Sequence, residues 1–161
     1  MLEHAHLRSI LPHGHPVLLV DRLSLEPDGS AVGTKAITAG EPCYADLPPD
    51  AEPERFAYPV SLLLESFGQT AAALWLTRDG DGTVADDQVL MLVAARGCRI
   101  EGRAFPGDVL RHAARIEHVF GDNVFVSGET HVDGRRVAVV ESMMAVARPR
   151  AEILEVGDSL A

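Results

Sequence analysis

The chain has only two cysteines, Cys43 and Cys98. They are too few and too unpatterned for a disulfide framework or a zinc site, which fits a reducing compartment. It has no dense run of lysine and arginine: the formal net charge is -10 and the pI about 5.0. Such a field repels a phosphate backbone, which argues against nucleic-acid binding. No apolar run reaches membrane-spanning length, and the opening MLEHAHLRSILPHGHPVLLV has no basic segment leading into an apolar one, which points to the cytosol. Internal repeats, low-complexity segments and dividing linkers are absent as well. The 161 residues, 47% apolar and 24% charged, therefore read as one soluble domain over 1–161, with fraying expected in the closing AEILEVGDSLA.

What is present is an ordered alternation of apolar runs and turn signals. VLLVDRLSL (17–25) and SAVGTKAIT (30–38) flank Pro27-Asp28-Gly29 and predict two strands joined by a turn. Proline is favoured in the first helical turn, so Pro59 is expected to open a helix that stops near Arg78. Its Val60, Leu62, Leu63, Leu64, Phe67, Leu74, Trp75 and Leu76 leave almost no polar face, the pattern of a helix enclosed on all sides. Four strands follow, over 89–103, 108–120, 123–132 and 135–148, the last two joined by Asp133-Gly134. This is an α+β pattern: one curved antiparallel sheet around one helix.

Ser61, Glu65 and Gln69 are spaced by four and form a narrow polar stripe on that apolar helix. A carboxylate buried without partners is costly, so Glu65 is expected either to have a raised pKa or to meet a cleft or a donor. A carboxyl kept protonated near neutral pH can hand a proton to a leaving group. The stripe alone leaves a second reading open, in which Gln69 and backbone donors simply satisfy Glu65.

ILPHGHPVLLVDR (10–22), ITAGEP (37–42), YPVSLLLESFGQ (58–69), Pro106-Gly107-Asp108 and HVDGRRVAVVESMMAVA (131–147) stand in the same order as in another group of proteins. The chain resembles the (3R)-hydroxyacyl-acyl carrier protein dehydratases of the FabZ type over nearly its whole length. The resemblance implies a hotdog fold, a dimer with joined sheets, and an active site at the seam between two chains. There one chain brings a histidine for the C2 proton and the other a helix acid for the C3 hydroxyl. A backbone N–H at the helix start holds the thioester carbonyl, where the helix dipole favours negative charge. By position Glu65 matches the acid and Gln69 the glutamine that follows it; Tyr58, Val60 and Gln69 are the implied substrate contacts.

The chain departs from that pattern in one loop. Where the histidine stands before a Phe-Pro pair, it reads Ala45-Asp46-Leu47-Pro48, and no histidine occurs between His15 and His112. The Pro48–Pro59 loop is also longer than usual, and Val60 replaces a glycine. Asp46 is the candidate replacement, but an ordinary aspartate is about two to three pKa units less basic than an imidazole. A heterodimer with a histidine-bearing homologue would restore one complete seam; a homodimer is the other possibility. Arg96, Arg99 and Arg103 form a basic cluster in which Arg99 and Arg103 share a strand face, a candidate dock for an acidic acyl carrier protein. No metal or redox cofactor is expected, only a substrate carried on the phosphopantetheine of a carrier protein or on CoA. Water elimination is the leading function; a non-catalytic acyl-binding subunit and a hotdog thioesterase are the alternatives.

Other features read as structural. His4, His6, His13 and His15 lack a third ligand for a metal and are expected to pack or hydrogen-bond. Asp79, Asp81, Asp86 and Asp87 lack the spacing of a calcium loop. Cys43 has no neighbouring histidine to activate it as a nucleophile.

Overall fold

The computed structural model describes residues 1–78, 88–149 and 151. The four loop aspartates from Asp79 to Asp87 and the tail from residue 152 lie outside the described residues. The elements are β1 (Leu2–Glu3), α1 (His4–Ile10), β2 (Arg22–Leu25), β3 (Ala31–Ala36), α2 (Val60–Arg78), β4 (Gln88–Ile100), β5 (Val109–Phe120), β6 (Asn123–Val132) and β7 (Arg135–Pro149). Single 3-10 turns at Pro42–Tyr44 and Pro53–Phe56 shape the loop between β3 and α2. The strands form one antiparallel sheet in the order β1-β2-β3-β5-β6-β7-β4, so β4 is an edge although it lies mid-sequence. No described helix is long and apolar enough to cross a membrane.

The hairpins close where the sequence places turn chemistry. Asp28 Oδ1 accepts from the amide and the hydroxyl of Ser30, and Gly29 takes a φ of 82°. Asp133 and Gly134 are both left-handed, at 47° and 78°, as a two-residue turn matched to strand twist requires. The strand expected from 17 begins only at Arg22, because the amides of Leu19 and Val20 bond to the Gln69 side chain instead of a neighbouring strand. Likewise β4 ends at Ile100 rather than 103. The amides of Glu101 and Gly102 both turn to the carbonyl of Val137, which breaks the ladder. Arg99 and Arg103 therefore do not share a strand face, a correction to the sequence expectation.

Helix α2 starts one residue later than expected: the Pro59 carbonyl accepts from Leu63 N at 3.0 Å, so Pro59 sits just outside the first turn. Leu63, Phe67 and Ala71 bury one face among residues of β5, β6 and β7, including Leu110, Val126 and Met143, while Leu74 packs with Leu7 of α1, Leu23 of β2 and Ala31 of β3. The helix is not enclosed on all sides, however. Ser61 is exposed, and Leu64, Glu65, Gly68, Ala72 and Trp75 form a half-buried stripe along the opposite flank. That stripe builds the site.

The core also seals a polar group. His112 on β5 is fully buried, its Nε2 2.9 Å from Ser66 Oγ and its Nδ1 2.8 Å from Thr130 Oγ1. Burial lowers its pKa to about 3. Because the unfolded chain takes up a proton near pH 6.5 that the folded chain refuses, stability falls as pH drops from about 6.5 towards 3, by about 1.4 kcal/mol per unit. Urea denaturation across that window is expected to show this slope in the wild type. His112→Gln, which carries no titrating group, is expected to flatten it.

Candidate active site

Gln69 organises the site from the middle of α2. It is 1% exposed, and its amide has no spare capacity. Oε1 accepts from Leu19 N at 2.8 Å and more weakly from Val20 N at 3.4 Å; Nε2 donates to Val17 O at 2.7 Å and to Glu65 Oε1 at 2.8 Å. This pattern fixes the amide's orientation, since the flipped form would face two N–H donors with an NH2. Four bonds thus dock the segment after His13 onto the helix and orient the carboxylate one turn earlier.

The docked segment carries His13 against Glu65, with Nε2 3.2 Å from Oε1. Nδ1 of His13 is buried with no hydrogen-bond partner. A proton there would be a buried donor left unpaired, which is costly, so the geometry favours the neutral tautomer with Nε2–H donating to Glu65. The carboxyl of Glu65 is held below its ordinary pKa, first by the His13 hydrogen bond, against the opposing effect of burial, and further by Gln69. Of the two outcomes expected for Glu65, a raised pKa or a donor and a cleft, the structure shows the second: two donors on one oxygen outweigh desolvation of a half-buried group. Sequence spacing shows the Glu65–Gln69 bond, but the His13 contact joins segments distant in the chain and has no local signal.

Both groups line a cavity of about 150 Å³ between α2 and the inner face of β4, β6 and β7. Leu64 and Trp75 from the helix, Leu90 from β4, Val124 and Val126 from β6 and Met143 from β7 make its walls apolar. Among the described residues, His13 and Glu65 are the only ionisable groups that line it. A space of this size accepts a benzene-sized or short-chain apolar group. So the hydrogen bond from His13 does not seal Glu65 off: a carboxylate with one oxygen tied faces an apolar slot. A wider hollow of about 690 Å³ over β2, β3 and β5 is more open, with charged residues such as Glu3, Arg22 and Arg111 beside Val32 and Val109 in its lining.

The other candidate residues lie elsewhere. Asp46 is exposed in the loop after the first 3-10 turn and does not line the cavity. Tyr58 is 5% exposed, its amide bonded to Ala104 O and its hydroxyl without a partner. Val60 is 44% exposed at the helix start, where first-turn amides have no intrahelical acceptor. Arg96 lies beside Phe125 and Met144, away from Glu65; Arg99 pairs with Glu141; Arg103 is exposed beyond the strand. Burial pushes the Cys43 thiol up, helped by Glu41, which leaves a poor nucleophile.

No family model matches the chain. It is 34% identical over 152 residues to the 3-hydroxyacyl-[acyl-carrier-protein] dehydratase FabZ of Syntrophotalea carbinolica, covering 94% of this chain and 98% of that one. The FabZ of Solibacter usitatus is 34% identical over 148 residues, 91% of this chain and 86% of that one. Among solved structures, the dehydratase heterocomplex ApeI:P of Xenorhabdus doucetiae superposes with a TM-score of 0.73 at 15% identity, covering 93% and 95%. A thioesterase superfamily member of Thermus thermophilus gives 0.60 at 19% identity, covering 81% and 89%. The architecture is the hotdog fold expected from the sequence. With two relatives above 30% identity across almost its full length, this chain belongs to the FabZ family of 3-hydroxyacyl-[acyl-carrier-protein] dehydratases.

Proposed function

We propose that this protein takes part in eliminating water from a 3-hydroxyacyl thioester, the acyl chain lying in the cavity and Glu65 protonating the departing C3 hydroxyl. The observation that carries this is the placement of Glu65 as the one carboxylate, among the described residues, that lines an apolar slot. The names of the FabZ relatives support the substrate class, a 3-hydroxyacyl group on an acyl carrier protein; a CoA thioester offers the same pantetheine arm. Val60 supplies a first-turn N–H for the thioester carbonyl, and Tyr58 and Gln69 shape the approach and hold Glu65. Arg96, Arg99 and Arg103 are the proposed carrier-protein contacts. The reaction needs no metal or redox cofactor, and the setting is cytosolic.

The active form is two chains. Edge strand β4 runs over Gln88–Ile100 and exposes Leu92, Val93 and Ile100, and a long apolar edge invites a second strand. In the arrangement that the resemblance implies, the base for C2 arrives from that second chain: a histidine-bearing homologue brings an imidazole, while a second copy brings Asp46. The ApeI:P neighbour is itself a heterocomplex, which supports the mixed pair.

Incubation with a 3-hydroxyacyl carrier protein, followed by mass spectrometry, tests the function. Loss of water is the expected result. Loss of the whole acyl group would indicate a thioesterase, and an unchanged acyl group under every pairing would indicate a binding subunit.

A further inference from the structure

Among the described residues, the imidazoles other than His13 do not line the cavity: His4, His6, His15 and His118 are exposed, His131 is half-buried on β6 and His112 is sealed in the core. His13 alone meets the carboxylate, and both groups come from one chain. Glu65 Oε1 receives two donors, from His13 and Gln69, while no donor among the described residues reaches Oε2. The remaining walls, from β4, β6 and β7, bring Leu90, Leu92, Val124, Val126, Met143 and Ala145 and no titratable group. Among the described residues His13 is thus the one ionisable partner of Glu65, and its buried Nδ1, with no partner among them, favours the tautomer that donates.

We infer that His13 is a positioning residue that ties one oxygen of Glu65 and leaves Oε2 open, so that Glu65 takes the C2 proton and then returns it to the C3 hydroxyl. This rests on the elimination reading above and removes the need for a second chain's imidazole. The balance closes on the substrate alone. Oε2 accepts the C2 proton as the C–H bond breaks, and its electron pair forms the C2–C3 double bond as the C3–O bond breaks. The proton on Oε2 passes to the departing hydroxide, giving water and the enoyl thioester and restoring the carboxylate. The His13 N–H stays on Oε1 throughout and keeps the carboxylate from rotating away, which matters because small misplacements of a reacting group can cost about a hundredfold in rate.

The test is the pH dependence of kcat/KM for the purified chain, without any co-expressed homologue, acting on a 3-hydroxyacyl pantetheine thioester. In the wild type, activity is expected to rise with pH through the titration of Glu65 and to do so below the ordinary carboxylate range, because a base must be ionised. His13→Leu should move that limb to higher pH and lower kcat by about tenfold or more, with KM nearly unchanged. His13→Gln, which offers an N–H at similar reach, should recover both in part. An unmoved limb in His13→Leu, or activity that falls with pH through it, would overturn the inference. Turnover only after addition of a histidine-bearing homologue would also overturn it while leaving the elimination reading intact. No water loss under any pairing would sink both. Should His13→Leu fail to fold, as thermal unfolding would reveal, the direction of the wild-type limb and the His13→Gln profile decide alone.

Discussion

Glu65→Gln is expected to slow water elimination by about 10² to 10⁴, the usual worth of a positioned proton-transfer group, with thermal unfolding almost unchanged. The substitution keeps the shape of the side chain, and its carbonyl oxygen can still accept from His13 Nε2 and Gln69 Nε2, which lie 3.2 and 2.8 Å from the present Oε1. Only the ability to hold and release a proton is lost. KM should therefore change far less than kcat, which separates a chemical role from loss of the cavity. Steady-state kinetics of the active form, whether one chain type or two, measures this. Wild-type rates in Glu65→Gln would remove Glu65 from the reaction.

The largest structural effect is expected at Gln69. Gln69→Leu has about the right volume but leaves Val17 O and Leu19 N without their partner at 2.7 and 2.8 Å and takes one of the two donors from Glu65 Oε1. Each buried polar group left unpaired costs about 1 to 3 kcal/mol, so the folded state should lose about 3 to 5 kcal/mol, a large part of a typical domain's stability. Urea denaturation gives this directly. Gln69→Glu should behave differently: its carboxylate still accepts from Leu19 and Val20 but cannot donate to Glu65, and two adjacent carboxylates raise each other's pKa. A cost below about 1 kcal/mol for Gln69→Leu would mean that the segment holding His13 docks by its apolar side chains, such as buried Leu19 and Val20, rather than through the amide.

The regular elements could be read from the chain because local pattern and tertiary environment agree in them. Helix α2 and strands β5, β6 and β7 begin and end within one or two residues of the expected positions, since apolar periodicity, Asp133-Gly134 and the Pro59 signal all point the same way. Expectation failed where a distant side chain took over the backbone. The amides of Leu19 and Val20 look like strand amides, yet Gln69 captures them. The short α1, which buries only Leu7 and Ile10, has too few turns to show a period.

The site was legible only in part, for the same reason. Spacing by four gave Glu65 and Gln69. The sequence predicts that His13 packs or hydrogen-bonds, and nothing local points to the carboxylate it meets. That contact also decides between the two outcomes expected for Glu65, because the His13 donor, invisible in a single helix, acts with Gln69 to outweigh the burial that the apolar sequence foretells. Asp46 is exposed and does not line the cavity within one chain.

The most direct measurement is a crystal structure with a non-reactive 3-hydroxyacyl amide analogue on a pantetheine arm. The acyl tail should lie between Trp75, Val126 and Met143, with C2 and the C3 hydroxyl each within about 3.5 Å of Glu65 Oε2, the reach of a near-attack geometry. A ligand bound elsewhere, or bound in the cavity with its hydroxyl turned away from Glu65, would contradict the account.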